Sequence, residues 1–337
     1  MDLIIYHNAD WDGMFSAAIV QKGRMTTSRL YGMNYGDTAP DLEPYDRVII
    51  VDFSLDVDAM VKYKDKIVWI DHHAPKIREV AEKVGMTKNG YPMIKGKYDL
   101  TGKYSAAYLC WEYCVPANVK VPECIRLVSA YDVHNKEIEP WDRTLAFQMY
   151  MRTMRMSVGA AGWLIFGDPD YCGDDEIDAT LENQIKIGEL MLAAKREEEA
   201  RAFKSDAWPV KIGKYNGYAL MTHDRSSMIC EQALRNPDVD FCLLLNRHPK
   251  YDCAFACGVR VNANSDFDAS EFARRHRGGG HVKASGCVLS LEEFNHLFVH
   301  GVIEWTDSSY SSVDPFWISH HSPFWRQHLL IAQWVPS

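Results

Sequence analysis

The chain has no long hydrophobic run. No stretch approaches the roughly 20 apolar residues that a membrane-spanning helix requires, so no membrane partner is expected. Its nine cysteines are odd in number and include no C-x-x-C pair, which argues against a disulfide framework and for reduced thiols in a cytoplasmic setting. Cys253 and Cys257 read as buried thiols on one strand face rather than as a metal pair. A basic stripe is also missing, and the net charge is −9. Proteins that hold long duplex DNA carry such a stripe, so that function class is excluded. The opening Met1-Asp2-Leu3-Ile4-Ile5-Tyr6 has no basic stretch before its apolar residues, so no signal peptide is expected.

What the sequence does contain is an alternation of strands and helices. With 337 residues it exceeds what one core usually serves, and two domains are expected. Residues 3–6, 48–51 and 67–70 are nearly continuous in apolar, mostly β-branched side chains, the pattern of strands covered on both faces. Helical patterns fall at 13–23 (Met14, Ala17, Ala18 and Val20 near one face), 57–63, 105–113 and 122–131. This predicts an α/β fold with a doubly wound parallel sheet over residues 1–140. From 141 to 207 the strand signal disappears, and the charged helix-favouring stretch 180–201 reads as a helical linker. A second, smaller α/β domain is expected over 208–300, with strands at 218–221, 241–245 and 253–259 and a helix at 269–275. Residues 301–337, including His320 and His321, carry no assigned role.

Potential metal ligands stand at the end of each of the first three strands. Tyr6 is followed by His7-Asn8-Ala9-Asp10-Trp11-Asp12-Gly13, Val51 by Asp52, and Ile70 by Asp71-His72-His73. A lone Asp after a strand is ordinarily a helix N-cap. Three strands ending this way point instead to one crevice, because ligands in open α/β sheets bind beyond the strands' carboxyl ends. Carboxylates with imidazoles and no thiolate suit a cation such as manganese better than a structural zinc. A carboxylate such as Asp52 can bridge two ions, and paired ions are the usual device for phosphoryl hydrolysis. Acidic balance suits a small phosphorylated substrate, since the metals supply the local positive charge. In the second domain, Gly278-Gly279-Gly280-His281 has basic neighbours Arg274, Arg275, Arg277 and Lys283. Successive glycines allow backbone N–H groups to approach an anion, against the plainer reading of a flexible turn. Arg260 is a further candidate phosphate clamp. Trp11, His223 and Arg225 are candidates to line the same cleft, whereas Tyr108 and Trp111 read as core.

The segments His7-x-x-Asp10-x-Asp12-Gly13, Val51-Asp52, Asp71-His72-His73 and Tyr131-Asp132 resemble the four motifs of the DHH phosphoesterase superfamily. The stretch from Asp268 through Gly278-Gly279-Gly280-His281 to Gly286 is similar to its DHHA1 domain, which favours the oligoribonuclease and 3′-phosphoadenosine phosphatase branch. The first motif departs in one respect, with two residues between His7 and Asp10 where three are common. The resemblance implies two manganese ions, with His7 and Asp10 on one, Asp12, His72 and Asp132 on the other, and Asp52 between them. It implies that Asp71 orients a ligand, that His73 faces the substrate phosphate or a bridging water, and that Gly278, Gly279, Gly280 and His281 bind the terminal phosphate or base end of a nucleotide across an interdomain cleft. The expected activity is hydrolysis of short oligonucleotides or small nucleotides. The alternatives are a 3′-phosphoadenosine phosphate or cyclic-dinucleotide-product phosphatase, or a catalytically silent nucleotide-binding module. A homodimer is a further expectation.

Overall fold

The computed structural model describes residues 1–23, 28–167, 174–222, 228–248 and 254–303, arranged as two compact units that divide after Leu192. The expectations for His223, Arg225, Cys253 and His320-His321 lie outside the described residues, as does nearly all of the 301–337 segment. Among the described residues no helix is long and apolar enough to cross a membrane.

The first unit runs β1 (Asp2–His7), α1 (Trp11–Gly23), β2 (Ser28–Met33), β3 (Arg47–Val51), α2 (Val57–Lys62), β4 (Ile67–Asp71), α3 (Ala74–Val84), β5 (Lys95–Tyr98), α4 (Ala106–Cys114), α5 (Glu123–Asp132), α6 (Trp141–Met151) and α7 (Val158–Phe166). Its five strands pair in the order β2-β1-β3-β4-β5, all parallel. Side-chain alternation divides the strands between two cores. Ile4, Ile49, Val51, Val68 and Ile70 pack into one with α1, α4, α5, α6 and α7. Leu3, Ile5, Val48, Ile50, Ile67 and Trp69 pack into the other with Met60 of α2 and Ile77 and Val80 of α3. Both faces are covered, as the continuous apolar runs imply. Helix α1 is buried at every position from Asp12 to Val20, rather than along one stripe. Beyond α5, Phe147 and Met151 of α6, Leu164 and Ile165 of α7, and Leu181 and Ile185 of the next helix extend the first core.

That helix, α8 (Asp174–Asp206), is 33 residues long and ends in the second unit. There follow β6 (Trp208–Ile212), β7 (Tyr215–Met221), α9 (Met228–Leu234), β8 (Phe241–Arg247), β9 (Ala254–Val261), α10 (Ala269–Arg275), β10 (Gly279–His281), β11 (Ala284–Ser290), α11 (Leu291–His300) and β12 (Val302–Ile303). The mixed sheet has the order β10-β11-β9-β8-β7-β6-β12. One face buries Phe241, Leu243, Leu245, Cys257, Val259 and Leu289 against Phe272 of α10 and Leu297 of α11. The other packs Leu220, Cys242 and Leu244 against Ile229 and Cys230 of α9 and Phe203 of α8.

Candidate metal and substrate site

In the sheet order β2-β1-β3-β4-β5 the chain reverses direction across the sheet between β1 and β3, which is where doubly wound folds open a crevice. His7 is the last residue of β1, and Asp52 follows the last residue of β3. Asp52 adopts a left-handed backbone with φ of 52°, while its N–H still donates to the Ile70 carbonyl at 3.0 Å. Asp is one of the few side chains that tolerates that region. The turn is anchored one residue on: the fully buried Trp69 donates its indole N–H to the Phe53 carbonyl at 2.7 Å.

Asp12 lies in the first turn of α1, and Gly13 lets that helix start against the end of β1. A Cβ at Gly13 would stand 2.0 Å from the His7 carbonyl oxygen. Asp71 ends β4, and His72 and His73 lead into α3, with His73 at its N-cap position. Asp132 is the last residue of α5. A carboxylate at a helix C-terminus meets the negative end of the dipole, an arrangement that a bound cation relieves.

These residues converge in three overlapping groups. Ligand atoms of His7, Asp10 and Asp52 lie within 4.8 Å of one another, as do those of Asp12, His72 and Asp132, and those of Asp52, Asp71, His72 and His73. The two-residue spacing of the first motif still puts His7 Nδ1 2.7 Å from Asp10 Oδ2, and Asp52 Oδ2 is 3.6 Å from the same nitrogen. His72 Nε2 lies 3.2 Å from Asp52 Oδ1, 3.4 Å from Asp132 Oδ2 and 3.8 Å from Asp12 Oδ2. The two oxygens of Asp52 therefore face two different groups.

Asp71 serves the histidines. Its Oδ1 accepts from the N–H groups of His72 (2.8 Å) and His73 (3.2 Å) and pairs with His73 Nδ1 at 2.7 Å. This leaves Nε2 as the His73 atom not committed to Asp71.

The electrostatics record a shortage of positive charge. Burial raises the Asp52 carboxyl well above the usual carboxylate range, and Asp12 and Asp10 push it further. Asp132 is raised in the same way, first by burial and then by Asp12. Burial disfavours the charged His7 imidazole, but Asp10 and Asp52 outweigh it and lift the group to about 11. His7 Nδ1 and Asp52 Oδ2 are buried without a hydrogen-bond partner of proper alignment, despite their close neighbours. Close donor atoms that do not bond to one another, in a cluster of mutually destabilised carboxylates, fit a site built for divalent cations.

Three side chains near this cluster carry no sequence signal or only a weak one. Ser105 is fully buried and donates to Asp12 Oδ1 at 2.6 Å. Tyr35 packs its ring 5.8 Å from that of His7 and 4.7 Å from Phe53. Neither Ser105 nor Tyr35 is of a residue type that the metal-ligand pattern singles out. Trp11 is partly buried against the first core, with its ring edge-on to Phe15, and Trp111 is buried in that core as expected.

In the second unit, cross-strand pairing sets the relation of the remaining candidates. His281 pairs with Ala284, Ala284 with Arg260, and Arg260 with Cys242. Paired residues share a face, so His281 and Arg260 project to the same side of the sheet, two strands apart. The adjacent row is Gly279, Gly286, Gly258 and Leu244, a floor nearly without side chains beside them. The glycine run is a short strand rather than a turn. A Cβ at Gly278 would stand 2.0 Å from the Gly286 carbonyl oxygen, and the Gly278 N–H is already donated to Ala273 at 2.8 Å. The glycines there permit close strand approach, and Gly278 is not a spare donor for an anion. Arg260 donates through Nη1 to the Val259 carbonyl at 2.9 Å, while its Nε is buried without a partner. Burial lowers its pKa, and the groups that oppose this are the thiols of Cys230, Cys242 and Cys257.

No protein-family model and no curated protein sequence matches the chain. Its fold does match solved structures. A pGpG-specific phosphodiesterase from Vibrio cholerae is 14% identical with a TM-score of 0.50, covering 89% of this chain and 96% of that one. A DHH-domain protein described as belonging to a family of ribosomal proteins is 15% identical with a TM-score of 0.52, covering 89% of this chain and 85% of that one. At these identities the likeness is one of fold alone.

Proposed function

We propose that the chain is a metal-dependent phosphoesterase that uses two manganese ions to hydrolyse phosphodiester or phosphomonoester bonds of short oligonucleotides or small nucleotides. The observation that carries this reading is Asp52, whose two carboxylate oxygens face two separate groups of potential ligands. In this reading His7 and Asp10 would hold one ion, Asp12, His72 and Asp132 would hold the other, and Asp52 would serve both. Bound there, the ions would neutralise phosphate oxygens and make a water more acidic.

The remaining steps belong to the chain's own groups. Asp71 fixes the His73 ring through Nδ1, and His73 Nε2 holds a proton toward a phosphate oxygen. Burial disfavours the imidazolium of His73, but Asp71 outweighs it and raises the pKa. His281 and Arg260, flanking the floor of Gly279 and Gly258, contact the part of the nucleotide away from the reacting bond. Gly278 and Gly280 hold the edge strand in place beside that floor. Residues 1–140 then act as the catalytic region, 141–207 as the helical connection and 208–300 as the substrate-binding region.

The pGpG substrate named for the similar Vibrio cholerae structure favours a dinucleotide, such as the opened product of a cyclic dinucleotide, over a long strand. The experiment is a turnover panel of dinucleotides including pGpG, short RNA, short DNA and 3′-phosphoadenosine phosphate, each with manganese and with chelator. Manganese-dependent release of mononucleotide or phosphate from one of these is expected. Binding without turnover across the panel would leave a silent nucleotide-binding module as the better account.

A further inference from the structure

Asp12 accepts three hydrogen bonds, all of them from the start of α4 and the residue before it. Its Oδ1 accepts from the Ser105 hydroxyl at 2.6 Å and from the Ala107 N–H at 2.9 Å, and its Oδ2 accepts from the Ala106 N–H at 2.9 Å. A carboxylate oxygen offers about two lone-pair positions, so Oδ1 is saturated and Oδ2 keeps one. Oδ2 is also the atom that faces His72 Nε2.

Ser105 is what arranges this. It stands at the N-cap position of α4, yet its hydroxyl does not cap that helix. It turns to Asp12 instead, together with the first two N–H groups of α4, so the positive end of the helix also meets the carboxylate. The Ser105 N–H donates to Ser129 Oγ at 3.0 Å, and the fully buried Ser129 lies on α5, the helix that ends in Asp132. Behind Ser105 the loop is fixed by Asp99, which accepts from the N–H groups of Thr101, Lys103 and Tyr104 and from the Thr101 hydroxyl.

We infer that Ser105 is a positioning residue, which fixes Asp12 as a one-oxygen metal ligand and ties it to the helix that carries Asp132. The inference rests on the two-metal reading and names what presets one of its two sites. Groups that orient metal ligands typically change metal affinity or activity by about 10- to 100-fold when removed.

The test is calorimetric titration of manganese into the metal-stripped full-length chain, with thermal melting measured on each variant. Ser105→Ala is expected to weaken one binding step by about 10- to 100-fold and leave the other unchanged. Ser105→Thr and Ser105→Val form a second comparison of nearly equal shape, so their difference reads the hydroxyl even if the buried position resists alanine. The threonine variant should bind as wild type does, and the valine variant should show the weakened step. Adding Ser105→Ala to Asp12→Asn should cause no further loss, because the two changes act on one ligand. Equal binding by the threonine and valine variants, or a loss that adds fully to that of Asp12→Asn, would overturn the role of Ser105 while leaving the metal site intact. A wild-type chain that binds no manganese would instead overturn the metal reading, and this inference with it.

Discussion

At Asp52 three costs coincide: a left-handed backbone, a fully buried carboxylate, and two acidic neighbours that raise its pKa. Native chains retain such strain where function requires it. Asp52→Asn keeps the shape and the tolerance for positive φ but removes the charge that would face both ions. Turnover should fall by more than the roughly 100-fold seen when an orienting partner of a metal ligand is lost. The metal-stripped variant should melt no lower than the metal-stripped wild type, because one of several mutually repelling carboxylates is gone. A variant that keeps substantial manganese-dependent activity would refute the bridging role. The sequence singles out the residues that the fold brings together here, because metal-ligand chemistry favours Asp and His and most of these follow strand ends. Ser105 was not readable: a serine before a helix ordinarily caps that helix, and its turn toward Asp12 depends on contacts across 93 positions of chain.

Among the elements, α11 fixes the approach to β10. Glu293 belongs to a capping box with Ser290, accepting from the Ser290 N–H at 2.6 Å, and it also pairs with His276 Nδ1 at 3.0 Å and with the Arg277 guanidinium. Arg277 itself is left-handed, with φ of 59°, and it precedes the glycines. Burial alone would raise the Glu293 carboxyl, but the His276, Ser290 and Arg277 interactions outweigh it and lower the pKa from 4.5 to about 2. A depressed carboxylate contributes stability above its unfolded pKa and loses that contribution as pH falls through the folded value. The melting temperature of Glu293→Gln should therefore lie below that of wild type at pH 6, and the gap should narrow from about pH 4.5 downward and nearly close by pH 2. A gap that widens on acidification would contradict this.

The elements differ in how plainly the sequence announces them. β1, β3 and β4 are buried on both faces and read as apolar runs. β2 and β5 are edge strands carrying Ser28, Arg29, Lys95 and Lys97, and polar edges of that kind resemble loops. β11 is interior, yet it begins Ala284-Ser285-Gly286, small residues of weak strand preference that fit where β10 and α10 come close.

In the whole molecule, the proposed function assigns the chemistry to the first unit and substrate holding to the second. His281→Ala should raise the Michaelis constant for a dinucleotide by about tenfold and lower turnover less, since binding energy away from the reacting bond also positions it. Hydrolysis of a small artificial phosphate ester, which offers nothing for His281 to hold, should stay nearly unchanged on the same preparation. Equal losses on both substrates would mean that the second unit does not act as a substrate clamp. Calcium should support little activity in place of manganese, because imidazole ligands suit it poorly.

Two domains are expected from chain length and from the return of strand patterns after residue 207, and the chain forms two compact units whose division falls after Leu192. The sequence did not announce that α6, α7 and the start of α8 extend the first core, because the strand pattern stops there and the charged stretch of α8 resembles a solvated linker. If Asp52 holds both ions, low-temperature electron paramagnetic resonance of the metal-stripped chain titrated with manganese would detect their coupling. Two ions bound per chain are expected, with a broadened, exchange-coupled signal that gives way to that of isolated manganese in Asp52→Asn. Isolated six-line spectra at every loading of the wild-type chain, or binding of a single ion, would contradict the bridging role of Asp52.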